Sequence, residues 1–175
     1  MSTSTIVAWA VAAVLLFWTV GAYNRLVALR GALVRGFAPV DTQFRQRHAL
    51  LLRLADQLAP DPAAVPAPVE ALRAACAQAE SACQRARNHP AAIGVVTSLR
   101  LAEEILGEAR QRLPAEWLAS PALAELNVEL AAGDSTLAFA RRQFNEGVDA
   151  YNQAVRQFPT WVIAGLFRFR RAGTL

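Results

Sequence analysis

Apolar residues are continuous at the start of the chain and periodic after it. Ile6–Tyr23, IVAWAVAAVLLFWTVGAY, carries no charge and one clearly polar side chain, Thr19. As a helix this stretch spans roughly 27 Å, against a bilayer hydrocarbon core of roughly 30 Å. Trp9 lies near one end, and Trp18 and Tyr23 near the other, where amphipathic rings favour the membrane interface. From Leu26 the apolar positions continue as Leu29, Leu33, Phe37, Val40, Phe44, Leu51, Ala55 and Leu58. Steps of three, four or seven make one face of a helix. Arg35, Gln43, Arg45, Gln46 and Arg53 lie on its polar side. Pro39 removes one hydrogen bond inside this pattern, which predicts a kink rather than a stop.

Ala59–Pro68, APDPAAVPAP, holds four prolines in ten residues and is the clearest punctuation in the chain. A second helix is predicted over Val69–Arg87 and ends at Asn88-His89-Pro90. A third is predicted over Ala91–Leu113, with Val95, Val96, Leu99, Ile105, Leu106 and Leu113 apolar. Pro114 and Pro121 bracket a short loop in which Trp117 suits a single helical turn. A fourth helix is predicted over Ala122–Phe158 and is closed by Pro159. Its seam is Leu123, Leu126, Leu130, Leu137, Phe144, Val148, Tyr151, Val155 and Phe158. Period-two alternation is absent. The predicted fold is all-α, an N-terminal transmembrane helix continuing into an antiparallel bundle of about four helices. Residues 1–24 form the anchor, 25–159 the bundle and 160–175 an apolar and then basic tail.

If successive helices alternate direction, the fourth returns to the membrane. That places Trp161, Phe167, Arg168, Phe169, Arg170 and Arg171 at the headgroup layer, together with Trp18. The alternative is a tail packed on the bundle with solvated arginines. Arg25, Arg30 and Arg35 follow the apolar stretch, and no Lys or Arg precedes it. Arginine in a short flank marks the cytoplasmic side, so the N-terminus is expected outside and the bundle in the cytoplasm, as a single-pass protein of the cell membrane. A cleaved signal peptide fits less well because no basic residue precedes the apolar run. A buried core helix fits less well because the run is apolar all round.

The net charge of +4 comes from arginine alone, since the chain has no lysine. The arginines alternate with acids along the helices, which argues against nucleic acid as a partner. Cys76 and Cys83 are seven apart, about 10 Å along one helix face, too far for a disulfide. They have no zinc spacing with His48 or His89. Glu103, Glu104 and Glu108 are expected to lie on a solvated helix face near Arg100 and Arg112. No metal, cofactor or catalytic residue is expected, and no nucleophile or phosphate-cradling motif is present.

Two stretches carry a family likeness. Tyr23–His48 reads YNRLVALRGALVRGFAPVDTQFRQRH, and Ala140–Pro159 reads ARRQFNEGVDAYNQAVRQFP. In this order and at this separation they resemble the LemA family. The resemblance implies a single-pass membrane protein with a small external N-terminus and a cytoplasmic antiparallel helical bundle, not an enzyme. The sequence departs from the family pattern at Pro39 and at ALLLRL after His48.

The motif residues have a physical reading. Phe144-Asn145 and Tyr151-Asn152 repeat after two turns, so each aromatic fills the seam while its asparagine fixes register across helices. Asn24 after Tyr23 is expected to act alike at the membrane end. Asp41 is expected to pair with Arg141 or Arg142. With Arg30 and Pro159, these complete the structural and interaction positions.

The expected function is that of a membrane-anchored scaffold or adaptor. Its expected partners are membrane lipid and membrane or cytoplasmic proteins, an envelope protease being one example; self-association through the long helices is compatible with either role. The alternative is a lipid-surface-binding or membrane-shaping protein acting through the basic aromatic tail.

Overall fold

In a computed structural model the chain is described over residues 2–61 and 64–175. The described residues contain helices and no strand. Helix α1 runs Thr3–Leu58 without interruption, 56 residues and about 84 Å long. It continues through Pro39, which is exposed, as is Arg35 one turn earlier. Water can therefore take the Arg35 carbonyl that the proline leaves unpaired.

The surroundings of α1 change once along its length. Its first buried residue is Ala22. Before it the side chains stand free, with Phe17 76% exposed and Val14 66% exposed. Beyond it Leu26, Leu33, Phe37, Val40, Phe44, Leu51 and Leu54 are buried. The same helix is thus an isolated apolar rod for about 28 Å and then the spine of a bundle.

The spine packs against two neighbours. Helix α2 (Ala67–Asn88) begins on Pro66, whose fixed φ suits a helix start, with Pro68 in its first turn. It runs antiparallel to α1, pairing Arg73 with Asp56 and Arg87 with Asp41. The tight His89–Ala92 turn returns the chain into α3 (Ile93–Gln111), which packs along α2. A four-residue α4 (Ala115–Leu118) contains Trp117 and leads through a 3₁₀ turn, Pro121–Leu123, into α5 (Ala124–Arg156). Helix α5 is antiparallel to α1: Arg53 faces Glu129, Arg47 faces Asp134, and the Phe37 and Phe144 rings meet edge-on at 5.7 Å.

The predicted helices are present, with ends within about two residues of expectation. The fourth ends beside the first buried residues of α1, with Ala154 in the cluster of Ala22 and Leu26. After it α6 (Thr160–Leu166) buries Ile163 and Ala164 against Ala22, Leu26 and Ala154. Cys76 and Cys83 are both buried and free.

Candidate functional site

Small alanines on α2 let it pack closely on both α1 and α3, and three polar side chains occupy seam positions among these helices. Asp41, His48 and Glu103 are each buried on a helix face that is otherwise apolar. Glu103 accepts from Arg47 Nη1 at 2.9 Å, and its other oxygen lies 2.6 Å from His48 Nε2. His48 Nδ1 lies 3.2 Å from Glu80 Oε2. Both ring nitrogens face carboxylates, and both donate only in the imidazolium form. Arg47 Nε also donates to Asp134 Oδ1 at 2.7 Å, and Arg110 Nη1 donates to Asp134 Oδ2 at 2.7 Å. Arg141 brings its guanidinium 4.8 Å from the Phe44 ring centre and 3.6 Å from Glu103. Its Nε is buried with no hydrogen-bond partner.

Side chains from α1, α2, α3 and α5 therefore meet in one network. Burial works to raise the Asp134 carboxyl, but the hydrogen bonds from Arg110 and Arg47 outweigh it and hold it below the usual carboxylate range. Burial lowers Arg141, against the pull of Glu103. Burial pushes the Cys76 thiol up to about 11. Cys83 is raised further by burial and by donating to Asp41 Oδ1 at 3.2 Å. These thiols are poor nucleophiles, because the thiolate is the reactive form. Among the described residues no group of three or more His, Cys, Asp or Glu is arranged to hold a metal ion.

The network corrects two sequence expectations. Asp41 takes a bidentate contact from Arg87, at 3.0 Å to each oxygen, plus Arg45 at 3.3 Å, and not Arg141 or Arg142. Arg141 faces Glu103 instead. Glu103 is at the centre of the bundle, whereas Glu104 and Glu108 are solvated as expected.

The second constellation is at the tail. After a turn at Arg168, residues 169–175 lie along α5 as a strap. Asn152 Nδ2 donates to the Ala172 carbonyl at 3.0 Å while its Oδ1 accepts from the Ala172 N–H at 2.9 Å. Asn145 treats Leu175 in the same way, at 2.8 Å in both directions. Tyr151 Oη donates to the Arg170 carbonyl at 2.9 Å, and burial raises its phenol against the opposing charge of Arg30. An amide side chain offers one donor and one acceptor, so each asparagine satisfies a whole residue of an extended strand. Two of them one α-helical double turn apart therefore hold strap residues 172 and 175. The asparagines bind the tail, and do not set register between helices as the sequence suggested. Gly173 fits closely here: an added Cβ would lie 3.2 Å from Ile93 Cα, so the start of α3 would have to shift by a few tenths of an ångström.

The other predicted positions fall into place around this strap. Tyr23 meets Phe167 at 4.8 Å and Phe169 at 5.9 Å between ring centres. Phe169 is partly buried, whereas Trp161, Phe167, Arg168, Arg170 and Arg171 are exposed. This is the arrangement of the second sequence reading: the tail's backbone packs on the bundle while its arginines remain at the surface. Pro159 precedes α6, and Asn24 and Arg30 are exposed on α1, so Asn24 makes no cross-helix bond. Arg47, His48, Glu80, Arg110 and Asp134 were not singled out by sequence. The available signal was position: His48 lies four after Phe44 and three before Leu51, and Glu103 stands likewise between Leu99 and Leu106.

The comparisons with known proteins bear on the bundle and the strap together. The sequence profile of the LemA family matches residues 36–175. Neither the curated proteins nor the solved structures hold a match to the chain. The match takes in the polar network, both asparagine clamps and the strap, and covers well over half of the sequence: the chain belongs to the LemA family.

Proposed function

We propose that the protein is a non-catalytic, single-pass membrane scaffold whose helical bundle stands in the cytoplasm and recruits other proteins by its exposed helix faces. The observation that carries this reading is the single change of surroundings along α1. Its first turns are apolar on every side and touch nothing, and the 18-residue window of highest hydropathy is 6% buried. In water that much free apolar surface is unfavourable, at about 25 cal/mol per Å². In a bilayer the same surface is at home, and a helix satisfies its own backbone. The arginine-rich side begins where the bundle begins, which supports a cytoplasmic bundle.

Support for docking comes from α5. Val128, Ala132, Ser135 and Phe139 are exposed and recur at steps of four, three and four, so they form one stripe on its outer face. Phe139 is 59% exposed. A largely apolar stripe of this kind, with Ser135 as its one polar member, suits a partner helix or a second copy of the chain. An envelope protease is one candidate partner.

Two experiments test the reading. The full chain should resist alkaline carbonate extraction, and a protease site inserted beside Pro60 should be shielded in intact cells. Extraction by carbonate, or cleavage from outside, would overturn the anchoring or the orientation respectively. Crosslinking in intact membranes should capture proteins through Phe139 and lose them in Phe139→Asp. Recovery of lipid alone would count against a scaffold.

One observation favours the lipid-surface reading as a companion role. Phe158, Trp161, Leu166 and Phe167 are exposed next to the point where α1 leaves the bundle. In bilayers of brominated lipid, a variant with Trp161 as its one tryptophan should be quenched. An unquenched signal would place α6 in water.

A further inference from the structure

We propose that a basic cavity beside α6 takes the phosphate of an anionic lipid headgroup. The proposal rests on the anchoring described above and names the lipid chemistry that the bundle recognises.

The cavity has a volume of about 570 Å³ and lies between α1, the α2–α3 turn and the strap. Five arginines line it: Arg30, Arg87, Arg168, Arg170 and Arg171. No Asp or Glu is in the lining. Arg87 is already held by Asp41, which is also shared with Arg45. The other four have no ion pair among the described residues. Four uncompensated guanidinium groups converging on one space repel one another, and an anion placed there relieves the repulsion. Guanidinium forks match phosphate oxygens in pairs, which makes arginine the better choice over lysine for such a site.

The fold has gone to some lengths to bring these residues together. Arg168 has a positive φ of 56°. A non-glycine residue in that region is uncommon. The turn swings the chain from α6 into the strap. The Tyr151 and Asn152 bonds then hold the backbone at Arg170 and Ala172, so Arg170 and Arg171 are fixed at the cavity edge. The opposite wall is the first turn of α3, which has no side-chain cap at its start.

Depth argues for a lipid as the source of the phosphate. Arg30 is seven residues past Tyr23, about 10 Å along the axis from the interfacial ring. The polar headgroup layers add roughly 5–8 Å on each side of the hydrocarbon. An arginine stem covers the difference, so the cavity opens at headgroup level beside the exposed rings of α6.

The test uses the full chain in detergent micelles, titrated with phosphatidylglycerol, with phosphatidylcholine and with soluble glycerol phosphate, and read by native mass spectrometry. Phosphatidylglycerol should be preferred over phosphatidylcholine. Arg170→Gln with Arg171→Gln should reduce that preference by about fivefold per arginine. Arg170→Lys with Arg171→Lys should restore part of it. Arg112→Gln with Arg142→Gln removes the same charge elsewhere and should change nothing. Helical content and thermal midpoint should be unaltered in the cavity variant, because the strap is held through its backbone. An unchanged preference in the cavity variant, equal binding of both lipids, or glycerol phosphate bound as tightly as phosphatidylglycerol would overturn the proposal. Failure of the anchoring has a different signature: the protein would then be stripped from native membranes by alkaline carbonate.

Discussion

Replacing Glu103 tests whether the buried network holds the bundle together. The Glu103 side chain is 3% exposed and faces Arg47, His48 and Arg141. Glu103→Ala deletes two charge-assisted hydrogen bonds, each worth about 1.5–3 kcal/mol. It also strands Arg47 and Arg141 around a void. Breaking a buried ion pair by removing one partner costs roughly 3–5 kcal/mol, and Arg47 keeps Asp134, which argues for the lower half of that range. Out of a total stability of about 5–15 kcal/mol this is a severe loss. At roughly 2–4 °C per kcal/mol for a chain of this size, the midpoint should fall by about 6–15 °C. The assay is thermal unfolding followed by circular dichroism in detergent, with two controls. Glu80 touches the same histidine but is about half exposed, so Glu80→Ala should cost under about 1 kcal/mol. Glu104→Ala, one residue along, should cost close to nothing. A Glu103→Ala midpoint within 2–3 °C of the parent protein would refute the reasoning and mark the network as incidental.

Three further outcomes are expected. Asn152→Ala removes both bonds that hold Ala172, about 1–3 kcal/mol in all, and should speed hydrogen exchange along the strap while helix α5 stays protected. Cys76 should alkylate far more slowly in the folded protein, since a rise from 9.0 to about 11 cuts the thiolate fraction roughly 100-fold at neutral pH, and labelling as fast as in denaturant would contradict its burial. Asp134 is held below the ordinary carboxylate range, so its contribution is present above about pH 4 and is lost as acid takes the pH through the folded value; Asp134→Asn should flatten that acid limb in a pH series of melting points.

Much of the architecture follows from periodicity. Leu26 to Leu58 on α1 and Leu126 to Val155 on α5 recur at helical steps, and proline punctuates the joints, so helix number, order and rough ends are legible. The polar network is not legible by the same route, because an apolar seam is found by looking for apolar residues. Asp41 sits between Phe37 and Phe44, His48 between Phe44 and Leu51, and Glu103 between Leu99 and Leu106, each at spacings of four and three. Treated as seam positions, all three lie in the core, and a buried acid then requires a cation. Which cation cannot be read from one helix: Arg47, Arg87, Arg110 and Arg141 are equivalent in sequence and are sorted only by how the helices pair. The asparagines show the same limit. Their two-turn repeat identifies one face of α5, but the partner is an extended strap 20 to 30 residues later, which has no periodicity of its own.

The strap explains why a chain with so apolar a beginning has so basic an end. If α1 is the proposed anchor, it alone cannot tell the bundle where the bilayer stops, because the helix runs on without a break in its backbone. Something must set the depth at which packing begins. Helix α6 does so by burying Ile163 and Ala164 on Ala22, and Tyr23 does so by meeting Phe167 and Phe169. On the anchoring proposed above, the outward rings would face the lipid side and the arginines the headgroups, in an order dictated by the backbone that Asn145, Tyr151 and Asn152 grip. Loosening the grip should therefore change position as well as stability. In Asn145→Ala with Asn152→Ala, a probe at Trp161 should move relative to the bilayer even at temperatures where α1 and α5 remain fully helical. A Trp161 depth that is unchanged while the strap exchanges freely would show that α6 is held by its contacts with α1 alone.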